Sequence, residues 1–151
     1  MEARLINSPS LNIKKVDMLT ITKEFLFDAA HKLWRSELSD DENHALYGKC
    51  SRFHGHTYRL RITVSGTVGP DGMIINFEKL KKLVTDSIIE RYDHAYLNEL
   101  EEYQDLPVTA ENMVQYIFNV LASILYEEKV ALESVVLYET PTSWATMTRD
   151  S

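Results

Sequence analysis

Apolar and polar positions alternate in two stretches of the chain and recur at helical spacing in two others. Between Thr20 and His31, Ile21, Phe25, Phe27 and Ala29 share parity with His31, so one face of a predicted strand carries all five. In a second predicted strand, Tyr58, Leu60, Ile62 and Val64 alternate with Arg59, Arg61, Thr63 and Ser65, and His54 and His56 fall on the apolar parity. Gly69-Pro70-Asp71-Gly72 signals a turn. Behind Asn76, a good N-cap, Phe77, Leu80, Leu83, Val84 and Ile88 recur at helical spacing. Thr109 is a second N-cap candidate. Met113, Val114, Ile117, Leu121, Ile124 and Leu125 form the stripe of the helix behind it. Val135 to Tyr138 predict a third strand, and Pro141 turns the chain into a short fourth around Trp144 to Thr148. The polar run from Lys32 to Lys49 reads as a long loop or one holding a short helix, and Leu97 to Leu106 as an acidic connection.

The order strand, strand, helix, helix, strand, strand predicts an α+β domain: an antiparallel four-stranded sheet with two helices on one face. Such a sheet keeps two open edges, which invite pairing between subunits. With 151 residues the chain suits one domain, expected over 18–151, behind a loosely held N-terminal extension over 1–17. The net charge of −7 argues against a nucleic-acid binder but leaves room for an anionic small molecule held by a local basic patch. A single cysteine excludes an intrachain disulfide and fits a reducing compartment. No apolar run approaches the ~20 residues of a membrane helix, and the first twenty residues lack a secretory apolar block. The expectation is therefore a cytoplasmic protein with neither membrane nor nucleic-acid partners.

Five histidines are unevenly placed. A strand turns His54 and His56 to the same side, about 6.6 Å apart along the backbone. An antiparallel neighbour could bring His31 beside them. Three neutral imidazoles on one side of a sheet suit zinc with an open fourth position. Taken singly, these residues have plain explanations. His-x-His is weak evidence of a metal, a lone Cys50 suits a small buried hydrophobe, and Asp93-His94 suits a helix end. Glu139, on the strand face of Val135 and Leu137, must find donors or water.

As an ordered set the residues say more. Phe27-Asp28-Ala29-Ala30-His31, Cys50-x-x-x-His54-Gly55-His56, Asp93-His94, Pro107-x-Thr109-Ala110-Glu111-Asn112 and Glu139-Thr140 resemble the 6-pyruvoyl-tetrahydropterin synthase/6-carboxytetrahydropterin synthase family. The resemblance runs from about Thr20 to Thr148. It implies a tunnelling fold in which subunits join their sheets into a barrel, typically a homohexamer with sites at the interfaces. It makes His31, His54 and His56 zinc ligands, and Cys50, Asp93 and His94 the catalytic set. Glu139 becomes the carboxylate that anchors the pterin ring, and Glu111 a neighbour of that pocket. The implied substrate is 7,8-dihydroneopterin triphosphate. Its triphosphate needs cations, and Lys23, Lys49, Arg52, Arg59 and Arg61 are the local pool.

The two branches of that family differ in product. The pyruvoyl branch eliminates triphosphate and keeps the three-carbon chain. The carboxy branch, serving queuosine biosynthesis, loses acetaldehyde and triphosphate. The Cys-x-x-x-His-Gly-His spacing resembles the carboxy branch and sets the preference. Leu38 to Asn43, Tyr47 to Cys50 and Gly72 to Asn76 look like the pyruvoyl branch. A rival of another class is a non-catalytic zinc module closed by Cys50 as fourth ligand. It leaves Asp93, His94 and Glu139 unexplained. A zinc hydrolase would want a carboxylate base beside the metal, and no HExxH is present.

Overall fold

The computed structural model describes residues 17–150; apart from Asp17, the extension expected over 1–17 lies outside them. Strands β1 (Thr20–His31), β2 (His54–Ser65), β3 (Ala131–Thr140) and β4 (Ser143–Thr148) form one sheet in that order, each antiparallel to the next. Its apolar face presents Phe25, Phe27, Tyr58, Leu60, Ile62, Val64, Val135 and Leu137, all buried. Against it pack the helices, α2 (Phe77–Val84) over β1 and α4 (Ala110–Glu127) over β3 and β4. The expected α+β architecture is therefore present. The opposite face carries Glu24, Arg59, Arg61, Tyr138 and Trp144, the last well exposed. Among the described residues no helix is long and apolar enough to cross a membrane.

The segment between β1 and β2 is more ordered than a polar loop requires. Ser39 and Glu42 make a reciprocal capping box that starts α1 (Asp40–Tyr47), and Cys50 follows in a short turn, Gly48–Ser51. Buried Asn43 ties this segment together, accepting from the Arg35 N–H and donating to the carbonyls of Arg35, Leu38 and Ser39.

Phe77 departs from its expected place in the helical stripe. It is the first residue of α2 and stays half exposed. The stripe instead runs Leu80, Val84, Ile88, Tyr92, all fully buried at a constant spacing of four. An α-helix advances ~100° per residue, so each step of four drifts ~40° around the axis. The chain absorbs the drift with a wider turn over Thr85–Ile89, where the Glu90 N–H reaches back five residues to the Thr85 carbonyl. Short α3 (Glu90–Tyr92) then ends with Tyr92 in the core and Asp93-His94 just past it.

Arg91 fixes this helix end by gripping Glu102 with both Nε (2.7 Å) and Nη2, and the Glu102 side chain is only 4% exposed. The Arg91 guanidinium holds the Glu102 carboxyl below its ordinary value of 4.5. A depressed carboxyl stabilises the fold above its unfolded value, and that contribution fades as the pH falls through the lowered one. Glu102→Gln is expected to cost about 1–3 kcal/mol at neutral pH. The gap from wild type in urea titrations should shrink in acid. A gap independent of pH would remove the ion pair as its cause.

Candidate active site

The antiparallel register of β1 on β2 sets His31 directly opposite His54 and Ala29 opposite His56. All three histidines face the helices at one end of the sheet. Their ring centroids lie 4.6, 4.9 and 5.1 Å apart, and one nitrogen from each falls within 4.8 Å of the others. Tetrahedral ligands at zinc–nitrogen distances of about 2.0–2.1 Å sit roughly 3.4 Å apart, so small side-chain rotations would close the set. Two backbone carbonyls assign tautomers. His31 Nδ1 donates to the Val108 carbonyl at 2.8 Å, and His54 Nδ1 to that of Arg52 at 2.6 Å. A carbonyl can only accept, so each ring keeps its Nε2 lone pair free.

His31 Nε2 and His56 Nε2 are buried without a hydrogen-bond partner. Each such orphan costs about 1–3 kcal/mol, a cost that a cation between them would remove. Burial lowers His31 to about 4, against an opposing pull from the Val108 carbonyl and with help from His54 and His56. Burial also lowers His56, opposed by the Glu139 carboxylate. Both are thus neutral at physiological pH, the form a metal requires. The trio can hold a metal ion.

Asp93 and His94 lie together where α3 ends. His94 Nδ1 donates to Asp93 Oδ2 at 2.9 Å, which leaves its Nε2 outward on a side chain 79% exposed. The Asp28 N–H donates to Asp93 Oδ1 at 3.0 Å, and the Asp28 carbonyl accepts from the His94 N–H at 2.6 Å. The Asp28 contact, and then His94, hold the Asp93 carboxyl below the usual range. His94 takes a left-handed φ of 61°, a conformation that side-chain-bearing residues adopt only when their surroundings impose it. His94 lines a cavity with Asp28, Ala30, Gly55 and Thr57 of the polar sheet face and with Ala29 and His56. His94 thus shares this cavity with His56, although neither Asp93 nor His94 belongs to the cluster of ligand nitrogens.

Cys50 is exposed and is not one of the clustered ligand atoms. A zinc site closed by Cys50 thus has no support in the geometry, and the residue is not the buried hydrophobe that a lone cysteine suggests. Its turn is anchored independently. The Leu33 N–H donates to the Cys50 carbonyl at 2.7 Å, and Ser51 Oγ links His44 Nδ1 to the Gly48 carbonyl at 2.6 Å each.

Glu139 sits at an irregularity in the β3–β4 pairing, with Oε1 3.4 Å from His56 Nε2. It shares a cleft of about 310 Å³ with Glu111, Thr109, Ser143 and Trp144. Thr109 Oγ1 caps α4 by accepting from the Asn112 N–H, and Asn112 Nδ2 returns to the Pro107 carbonyl, which fixes Glu111 beside the cleft. Sequence reasoning missed the positioning roles of Asp28, Val108 and Arg52. All three act through backbone groups, which leave no mark on residue identity.

A family model described as 6-pyruvoyl tetrahydropterin synthase matches residues 20–150. The chain is 36% identical over 124 residues to the human 6-pyruvoyl tetrahydrobiopterin synthase, covering 80% of this chain and 84% of that one. It is 37% identical over 132 residues to the 6-carboxy-5,6,7,8-tetrahydropterin synthase of Bacillus subtilis, covering 82% and 81%. A solved 6-pyruvoyl tetrahydropterin synthase from Caenorhabditis elegans superposes with a TM-score of 0.80 at 32% identity, over 89% of this chain and 97% of that one. The chain belongs to the 6-pyruvoyl tetrahydropterin synthase family.

Proposed function

We propose that the protein is a zinc-dependent 6-carboxy-5,6,7,8-tetrahydropterin synthase. It would convert 7,8-dihydroneopterin triphosphate to 6-carboxytetrahydropterin, acetaldehyde and triphosphate. The observation that carries this reading is the trio of His31, His54 and His56 with two buried ring nitrogens lacking partners, beside the carboxylate of Glu139. The carboxy branch is preferred on the three-residue gap between Cys50 and His54. The pyruvoyl branch is the second reading. In its favour, the segment Leu38 to Cys50, which looks like that branch, folds as an ordered helix and turn that fixes Cys50.

When bound by the trio, zinc supplies Lewis acidity toward the adjacent hydroxyls of the substrate side chain and eases proton loss from the neighbouring carbon. Glu139 would accept two hydrogen bonds from the amino group and ring N–H of the pterin, which fixes the ring in register. Glu111 lines the same cleft. Cys50, as a thiolate, would take the proton, with Lys49 and Arg52 exposed on either side of it. His94 Nε2, oriented through Asp93, would exchange protons with the reacting chain, worth roughly 10²–10⁴ in rate. The four-stranded sheet keeps β1 and β4 as edges, which supports a closed homo-oligomer, a hexamer by family pattern, with sites at its interfaces.

Mass analysis after incubation with 7,8-dihydroneopterin triphosphate tests the reaction. Acetaldehyde with a carboxypterin is expected; a pyruvoyl pterin without acetaldehyde would select the other branch, and no turnover would sink both. Cys50→Ala should keep its zinc and its melting temperature while losing at least roughly 10² in activity. A double His54/His56→Ala variant should lose the metal, and near-stoichiometric zinc in it would contradict the trio. Mixing inactive Cys50→Ala and His94→Ala chains under conditions that exchange subunits should restore activity if the two residues act from different protomers. A fully active monomer in light scattering would be incompatible with the shared site.

A further inference from the structure

Strand β2 parts from its two neighbours at different points. It pairs with β1 all the way to His54, but its pairing with β3 ends at Arg59 opposite Tyr138. Beyond that pair β3 runs through Glu139 into the turn to β4, and a gap of about 410 Å³ opens between the strands. Its lining includes His56, Thr57, Arg59, Tyr138, Glu139 and Thr140. His56 belongs to the helix-facing side of β2, whereas Thr57 and Arg59 belong to the polar side. The gap therefore joins the metal-binding end of one sheet face to the polar surface of the other.

Arg59 is the one lysine or arginine in that lining. Its guanidinium lies 5.6 Å from the Tyr138 ring centroid, a contact that orients the planar group. Glu24 Oε2 stands 3.6 Å from Arg59 Nε, too far for a hydrogen bond, so the fork of donors is held in place but not consumed. The other cations of the local pool fit less well. Lys23 lies eight residues along β1 from His31, about 26 Å away. Arg61 is two residues further from the gap and hydrogen-bonds Glu24 itself. Lys49 and Arg52 flank Cys50 and do not line the gap.

We propose that Arg59 recognises the terminal phosphates of a substrate whose ring is held at Glu139 and whose side chain lies at the histidine trio. The assignment rests on the pterin triphosphate reading above. Arg59 is three residues from His56, about 10 Å along the strand, a span suited to a short side chain bearing phosphates. A planar fork of N–H donors matches phosphate oxygens two at a time. On this view the gap between β2 and β3 is the passage for the triphosphate, with Arg59 at its polar mouth.

Calorimetry of the zinc-loaded protein with inorganic tripolyphosphate, and separately with unphosphorylated 7,8-dihydroneopterin, tests the assignment. Arg59→Met keeps an apolar stem over Tyr138 and removes the charge. It should weaken tripolyphosphate by at least about tenfold while leaving dihydroneopterin within about twofold. Arg59→Lys should recover part of the loss. Arg59→Gln repeats the measurement should the Met variant fold poorly. Equal tripolyphosphate affinity in wild type and a folded Met or Gln variant would overturn the proposal, as would an equal loss for both ligands. Failure of the pterin reading is told apart by the wild type: Arg59-dependent tripolyphosphate binding with no dihydroneopterin binding and no turnover would leave the phosphate site standing and remove the pterin.

Discussion

The antiparallel register of β1 on β2 is the constraint on which the candidate site depends. Because side chains alternate along a strand, sliding one strand by a single residue would send every inward side chain to the opposite face. The register is held by the same parity that builds the core: Phe25 meets Leu60 and Phe27 meets Tyr58, with these two rings stacked at 4.9 Å. The last residues of that apolar series are His31 and its partners. The histidines therefore inherit their meeting point from the packing of aromatic and aliphatic neighbours. The core also supplies Tyr58 beneath the trio, its hydroxyl 3.4 Å from His31 Nδ1.

Around this centre the main chain does much of the positioning. Carbonyls of Val108 and Arg52 select ring tautomers, and both backbone groups of Asp28 secure the Asp93–His94 dyad. Backbone acceptors and donors are held by the secondary structure itself, so they impose direction without adding a mobile side chain. The left-handed φ of His94 shows the same economy. The Asp28 carbonyl and the Ala95 carbonyl, which accepts from the Ala30 N–H, clamp the segment on both sides of the strained residue. The wider turn at Thr85–Ile89 serves that clamp from the other end, since it keeps Tyr92 in the core and delivers Asp93 to β1.

Most of the fold was legible in residue order because it rests on side-chain parity, which sequence records directly. The parity of Ile21 through His31 and of His54 through Val64 predicted the strands and the shared face of the trio. The caps at Asn76 and Thr109 placed both helices. Phe77 and the extra turn in the α2–α3 segment were not legible. A spacing of four fits an α-helix locally, and only its accumulation from Leu80 to Tyr92 forces a wider turn. The site residues separated in the same way. Glu111 and Glu139 do share a cleft, and His94 lines a cavity with His56, but the docking of Asp93 and His94 on the backbone of Asp28 is a matter of three-dimensional routing. Lys23 looked like a local cation in sequence and lies at the far end of its strand.

The segment that follows α3 also reshapes the outer edge of the sheet. On β1 the groups of Asp28 and Ala30 that point away from β2 are occupied by Asp93, His94 and Ala95, and Ala30 forms a parallel bridge with Tyr96. The same alternation aims the groups of Thr22, Glu24 and Leu26 outward, and among the described residues no backbone group meets them. An exposed edge is normally open to any strand in any alignment. Here it ends at a built-in stop. A strand added to β1 can extend to Leu26 and no further, so the loop that carries His94 acts as a gauge block. It would set the alignment of any strand laid along this edge.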